Sequence, residues 1–145
     1  MQNNCEIMES YDDYMNKTEI KTIGNREYVT GFYASGNKMY EEEYKDGKLE
    51  GKWTGWYESG EKEEEGEYKN GEKEGKWTTW YKSGTVKCEE EYKDGKHVGK
   101  LIGWYDHGDK AFEMEYEDGN LISWQHFKNM FGVDFFYYFY IGKVS

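Results

Sequence analysis

The chain has 145 residues, with Lys and Arg totalling 19 against 30 Asp and Glu, for a formal net charge of −11. That balance argues against direct binding to nucleic acid or to an anionic membrane, and favours a basic partner or plain solubility. Hydrophobic residues make up 36% of the chain and aromatics alone 19%, so the apolar material is mostly Tyr, Trp and Phe, which suit a pleated strand surface better than a helical core.

In chain order, residues 1–18 form a segment that precedes any repeat. It opens with Glu6, Glu9, Asp12 and Asp13, with neither a basic stretch nor an apolar run, which argues against a secretory signal. Cys5 and Cys88 have no motif spacing; reduced thiols in a cytoplasmic chain are expected rather than a disulfide.

From Glu19 to Thr30 runs a degenerate half-copy of a unit that then recurs from residue 31 to 124. One turn column is Gly36, Gly60, Gly84 and Gly108, a period of 24 residues, preceded by Ser35, Ser59, Ser83 and His107. The other is Asp46-Gly47, Asn70-Gly71, Asp94-Gly95 and Asp118-Gly119. Asn-Gly and Asp-Gly between aromatic or alternating segments signal two-residue hairpins, because both central residues of a type I′ turn need positive φ. Two such turns per unit predict a sequential antiparallel meander of about eight strands over residues 31–124. Strands such as Lys52–Tyr57 and Lys62–Tyr68 should alternate with the turns. Glycine recurs too often for helices of ordinary length.

The last segment, residues 125–145, contains KNMFGVDFFYYFYIG, apolar on both sides. It is expected to cap the final repeat, with a homo-oligomer interface as the alternative. Its most apolar stretch, Val133 to Ile141, is too short to span a bilayer and contains Asp134.

Pairing about Ser59-Gly60 sets Tyr57 opposite Lys62, Trp56 opposite Glu63, Thr54 opposite Glu65 and Lys52 opposite Glu67. Pairing about Asn70-Gly71 sets Tyr68 opposite Lys73, Glu65 opposite Lys76 and Glu64 opposite Trp77. One face then collects Trp53, Trp77, Tyr57, Tyr81, Tyr105, Tyr44, Tyr68, Tyr92 and Tyr116, a core stack in preference to a ligand cage. The other collects Trp56, Trp80 and Trp104 with two glutamate columns. These are Glu41, Glu65, Glu89 and Glu113, then Glu43, Glu67, Glu91 and Glu115, with Lys52, Lys76 and Lys100 among them. Equivalent residues lie two strands apart, roughly 9.5 Å. This face is either a solvated surface that discourages aggregation or a partner-binding strip, since a row of tryptophans serves no purpose in solvation.

His97, His107 and His126 occur singly, and no nucleophile elbow or phosphate loop is present. No metal, no cofactor and no enzyme activity are therefore expected. Glutamates that recur by repeat read as a surface rather than as a catalytic pair.

Tyr68, Asn70, Gly71, Gly75, Trp77, Trp80, Tyr81, Ser83 and Gly84 follow in order the pattern Y-x-N-G-x-x-x-G-x-W-x-x-W-Y-x-S-G. In this the chain closely resembles the MORN-repeat family, in particular its bacterial Trp-rich variant. It departs at Leu101, where Trp is expected, and in the lost Gly-Lys step before Trp124. The resemblance implies an all-β fold, an elongated single-layer antiparallel meander of stacked hairpins. It also implies a non-enzymatic role: bacterial members are often classed as antitoxins, and others look like protein- or lipid-interaction scaffolds. The expected function is a binding module of antitoxin or immunity type that covers a basic surface of a toxin or a nucleic-acid enzyme. The alternatives are a localisation scaffold and an acidic inhibitor of a defence enzyme of phage type.

Overall fold

A computed structural model describes residues 6–14 and 16–127; the expected aromatic cap over 128–145 and Cys5 lie outside them. Among the described residues thirteen strands form one sheet: β1 (Glu6–Tyr11), β2 (Lys17–Ile23), β3 (Arg26–Phe32), β4 (Lys38–Lys45), β5 (Lys48–Leu49), β6 (Gly51–Trp56), β7 (Lys62–Lys69), β8 (Glu72–Trp80), β9 (Val86–Lys93), β10 (Lys96–His97), β11 (Gly99–Trp104), β12 (Lys110–Glu117) and β13 (Asn120–His126). Neighbours follow in chain order and run antiparallel, with the short β5 and β10 continuing onto β4 and β9. From β4 onward the main path crosses eight strands, β4, β6, β7, β8, β9, β11, β12 and β13, as the paired turns predict. The sheet also extends ahead of the half-copy, through the β1–β2 hairpin.

The hairpin tips have the backbone that their sequence demands. Asp46, Asn70, Asp94 and Asp118 sit at φ 50°, 52°, 48° and 49°, and the glycines after them are also at positive φ. Asp and Asn tolerate this region at small cost, and glycine at none. Successive tips stack: the amides of Gly71, Gly95 and Gly119 donate to the carbonyls of Leu49, Lys73 and His97 one repeat earlier. The Glu50 and Glu74 carboxylates accept from the amides of Asn70 and Asp94 at 2.8 and 2.9 Å.

The opposite ends are held by a tyrosine row. The hydroxyls of Tyr33, Tyr57 and Tyr81 donate to the carbonyls of Trp56, Trp80 and Trp104 at 2.7, 2.7 and 2.9 Å. Tyr57, Tyr81 and Tyr105 were expected in the core stack. They instead lead the Ser-Gly turns and the equivalent His107-Gly108 turn, where the amide of Tyr57 donates to Glu61 and its carbonyl accepts from Gly60, and Tyr81 and Tyr105 do the same in theirs. Each ring reaches across to the next repeat and clamps it. Tyr57→Phe keeps the ring and loses the clamp, so chemical denaturation should show a loss of about 1 kcal/mol.

The register differs from simple pairing in two ways. Trp56 pairs with Lys62, and Glu63 bulges out. Glu65 and Glu64 pair with Thr78 and Thr79, not with Lys76 and Trp77. The reason is Gly75 at φ 67°: Gly75, Lys76 and Trp77 together face the single residue Gly66, between the Glu65–Thr78 and Glu67–Glu74 pairs. Gly51 and Gly99, also at positive φ, mark the same offset in the neighbouring repeats. The offset at Gly75 is two residues, so side-chain parity survives it, whereas the one-residue bulge at Glu63 turns Lys62, expected beside Tyr57, onto the charged face with Trp56 and Glu65.

A single layer buries little, and what it buries gathers around Trp77. Its side chain is 2% exposed, the largest to be fully buried among the described residues. It stacks on Trp53 with centroids 5.7 Å apart and meets Tyr68 and Tyr92 edge-on at 5.0 and 6.4 Å. Lys73 lies over its face at 3.8 Å, and its indole N–H donates to the carbonyl of Glu67. The stack continues from Tyr92 through His97 to Tyr116 at 4.3 and 4.9 Å, so a histidine fills a place in the aromatic row.

Candidate functional site

The face opposite Trp77 carries the recurring charges, and its floor is a row of small polar residues. Thr54 pairs with Glu41 on one side and Glu65 on the other, and Thr78 with Glu65 and Glu89. Ile102 takes the same place between Glu89 and Glu113. Thr54 is only 5% exposed, so the charged side chains rise as walls around a sunken floor. Two depressions result. One of about 420 Å³ is bounded by Lys52, Glu65, Glu67, Glu74, Lys76 and Thr78. The other, of about 240 Å³, is bounded by Tyr28, Thr30, Glu41, Glu43, Lys52 and Thr54.

The two glutamate columns are not equivalent. In the first, Glu41 pairs with Lys38, and Glu65 with both Lys52 and Lys62 at 2.9 and 2.7 Å. Glu89 pairs with Lys76 at 2.7 Å, and Glu113 with Lys100 and Lys110 at 2.5 and 3.0 Å. In the second, Glu43 meets Arg26. Glu67, Glu91 and Glu115 are exposed and form no ion pair among the described residues. The structure thus neutralises one column within the sheet and leaves three carboxylates of the other facing solvent.

Two of the paired carboxylates carry the mark of their lysines in their protonation. Hydrogen bonds from Lys62 and Lys52 hold the Glu65 carboxyl below its ordinary value of 4.5. Those from Lys100 and Lys110 do the same for Glu113. A depressed folded value stabilises the fold above pH 4.5, and that stabilisation is lost as pH falls through the lower folded values. Denaturation midpoints measured downward from pH 4.5 should fall, and Glu65→Gln should flatten the slope.

Trp56, Trp80 and Trp104 share this face as half-buried rings in a row with Phe32 and Phe127. Lysines lie over the rings: Lys17 over Phe32 at 5.9 Å, Lys38 over Trp56 at 5.6 Å, Lys62 over Trp80 at 5.3 Å and Lys110 over Phe127 at 5.3 Å. Each contact combines a cation–π attraction with the covering of apolar ring surface by a lysine stem. Reading the sequence for glutamates and tryptophans missed these lysines and Arg26. The signal was there, since Lys38, Lys62 and Lys110 share one position of the 24-residue period.

Nothing on either face assembles a reactive group among the described residues. Burial first, then the Glu90 carboxylate, push the Cys88 thiol up to about 12, so it stays protonated and unreactive at neutral pH. Among the described residues no group of three or more His, Cys, Asp and Glu is placed to hold a metal ion.

Residues 28–46, 49–70 and 73–94 each match the family described as the MORN repeat variant. Comparison with curated proteins gives no match.

Proposed function

Because the chain carries three MORN-variant repeats whose recurring charges share one face, we propose that it is a non-enzymatic protein-binding module of antitoxin or immunity type. It covers a basic surface of its partner with the face that bears Trp56, Trp80 and Trp104. The observation that carries this reading is the division of the glutamates, with Glu67, Glu91 and Glu115 exposed and without an ion pair among the described residues, beside a neutralised column. A surface serving only solubility has no need to hold three like charges in register. Carboxylates at roughly 9.5 Å intervals are far sparser than duplex phosphates, at one per about 1.7 Å of axis. The partner's surface is therefore met as scattered lysines and arginines rather than as a nucleic-acid groove. Exposed carboxylates steer the encounter and half-buried tryptophans hold the complex once formed. The test is association kinetics with the partner recovered from the native host, at two ionic strengths. Steering predicts an association rate that falls as salt rises, and a salt-independent rate would overturn it.

A further inference from the structure

Among the positions of the charged face at which a unit departs from the others, two in the third unit fall side by side. The position that holds Lys38, Lys62 and Lys110 in other units holds Val86 in the third. Trp104 is accordingly the ring of its row with no lysine over it among the described residues. The floor position that holds Thr30, Thr54 and Thr78 elsewhere holds Ile102. Val86 pairs with Trp80 across β8 and β9, and Ile102 lies two residues before Trp104 on β11, so all four share the face. At these two positions the other units are polar, whereas here Val86 and Ile102 lie beside Trp80 and the Trp104 of the following unit, four half-buried apolar side chains.

Ion pairs rim the group, Lys76 with Glu89 at 2.7 Å and Lys100 with Glu113 at 2.5 Å. Both glutamates pair with Ile102. Two residues further along their strands, roughly 6.8 Å away, stand the exposed carboxylates of Glu91 and Glu115. An apolar centre inside a polar rim, with open charges to one side, is the anatomy of an interface anchor.

We infer that Trp80, Val86, Ile102 and Trp104 form the anchoring site of this face, for an extended basic segment that sets an aromatic or aliphatic side chain two residues from a lysine or arginine. The spacing follows from strand geometry, in which alternate residues point the same way about 6.8 Å apart. The apolar side chain covers the bare Trp104 ring while the cation reaches Glu91 or Glu115. This rests on the binding reading above and localises it to the third repeat.

The test titrates the full chain, followed by tryptophan fluorescence, with three six-residue peptides. The first alternates threonine with one Phe and two Lys, the second has Thr in place of that Phe, and the third moves the Phe next to a Lys. The first should bind about tenfold more tightly than the second, as expected for partial burial of one ring, and more tightly than the third. Val86→Thr with Ile102→Thr, which removes the apolar centre without changing the charge of the face, should erase that gain. Equal binding of the first two peptides would overturn the anchor and leave the acidic face standing. Equal binding of the first and third would overturn the spacing, and no binding of any peptide would overturn both the anchor and the binding reading.

Discussion

Trp77→Ala should cost about 3–5 kcal/mol of folding stability, the range for losing a fully buried tryptophan. The residue is 2% exposed, and its loss removes contacts from Trp53, Tyr68, Tyr92 and Lys73 together. A one-layer sheet has no second layer to collapse into the gap, so relaxation recovers little. Trp80→Ala on the opposite face should cost much less, because that ring is half-buried and covered chiefly by one lysine. Urea denaturation of the two variants reads the difference directly. Equal, small losses would mean that the sheet's stability does not reside in this stack.

Gly66→Ala should be nearly as damaging, for the opposite reason. Gly66 is buried beneath the Trp77 indole, and an added Cβ would sit 2.1 Å from Trp77 Cδ2. No positive φ is involved there, so the demand for glycine is purely one of space. Displacing the ring should cost about 3 kcal/mol, the upper part of the usual range for overpacking. In the Trp77→Ala background the clash is gone, and alanine is then preferred to glycine within a strand by about 0.5–1 kcal/mol. The two substitutions should therefore be strongly non-additive, with the second turning neutral or favourable once the first is made. Additive losses would show that Gly66 and Trp77 do not meet.

The same pair shows how far the sequence could be read. The tips at Asn70-Gly71 and its counterparts were legible because type I′ geometry depends on two adjacent residues alone. Face membership within the strands was legible because strand parity survives the even offset at Gly75, but not for Lys62, which the odd bulge at Glu63 turns onto the charged face. The offset itself was not legible. Gly75 reads equally well as a weak strand residue and as the start of a three-residue bulge, and only its pairing with the neighbouring strand decides between them. Gly66 was passed over for a related reason, since a buried strand glycine is explained only by the ring that covers it. The Tyr57 row was misplaced because its side chains lie beyond the strand ends, where alternation no longer says which way they point.

On the charged face, the glutamate columns were visible as a period of 24 residues, but their inequality was not. Glu65 and Glu67 recur equally well. What separates them is that Lys52, paired in register with Glu67, reaches diagonally to Glu65, and that the bulge at Glu63, which sets Lys62 opposite Trp56, brings Lys62 to Glu65 as well. The apolar pair Val86 and Ile102 stood in the sequence as two unrelated departures until the register placed them on one face.

The division of the columns is what the binding reading depends on, and one comparison isolates it. Glu67, Glu91 and Glu115 make no ion pair among the described residues, so changing all three to Lys should leave the fold's melting temperature close to that of the unsubstituted chain. The association rate with the basic partner should fall by about tenfold or more. Raising salt from about 0.1 M to about 1 M, which shortens the screening length from about 10 Å to about 3 Å, should slow the unsubstituted chain but not the triple variant. An association rate unchanged in the folded triple variant would contradict the account and leave the charged face a solvated surface.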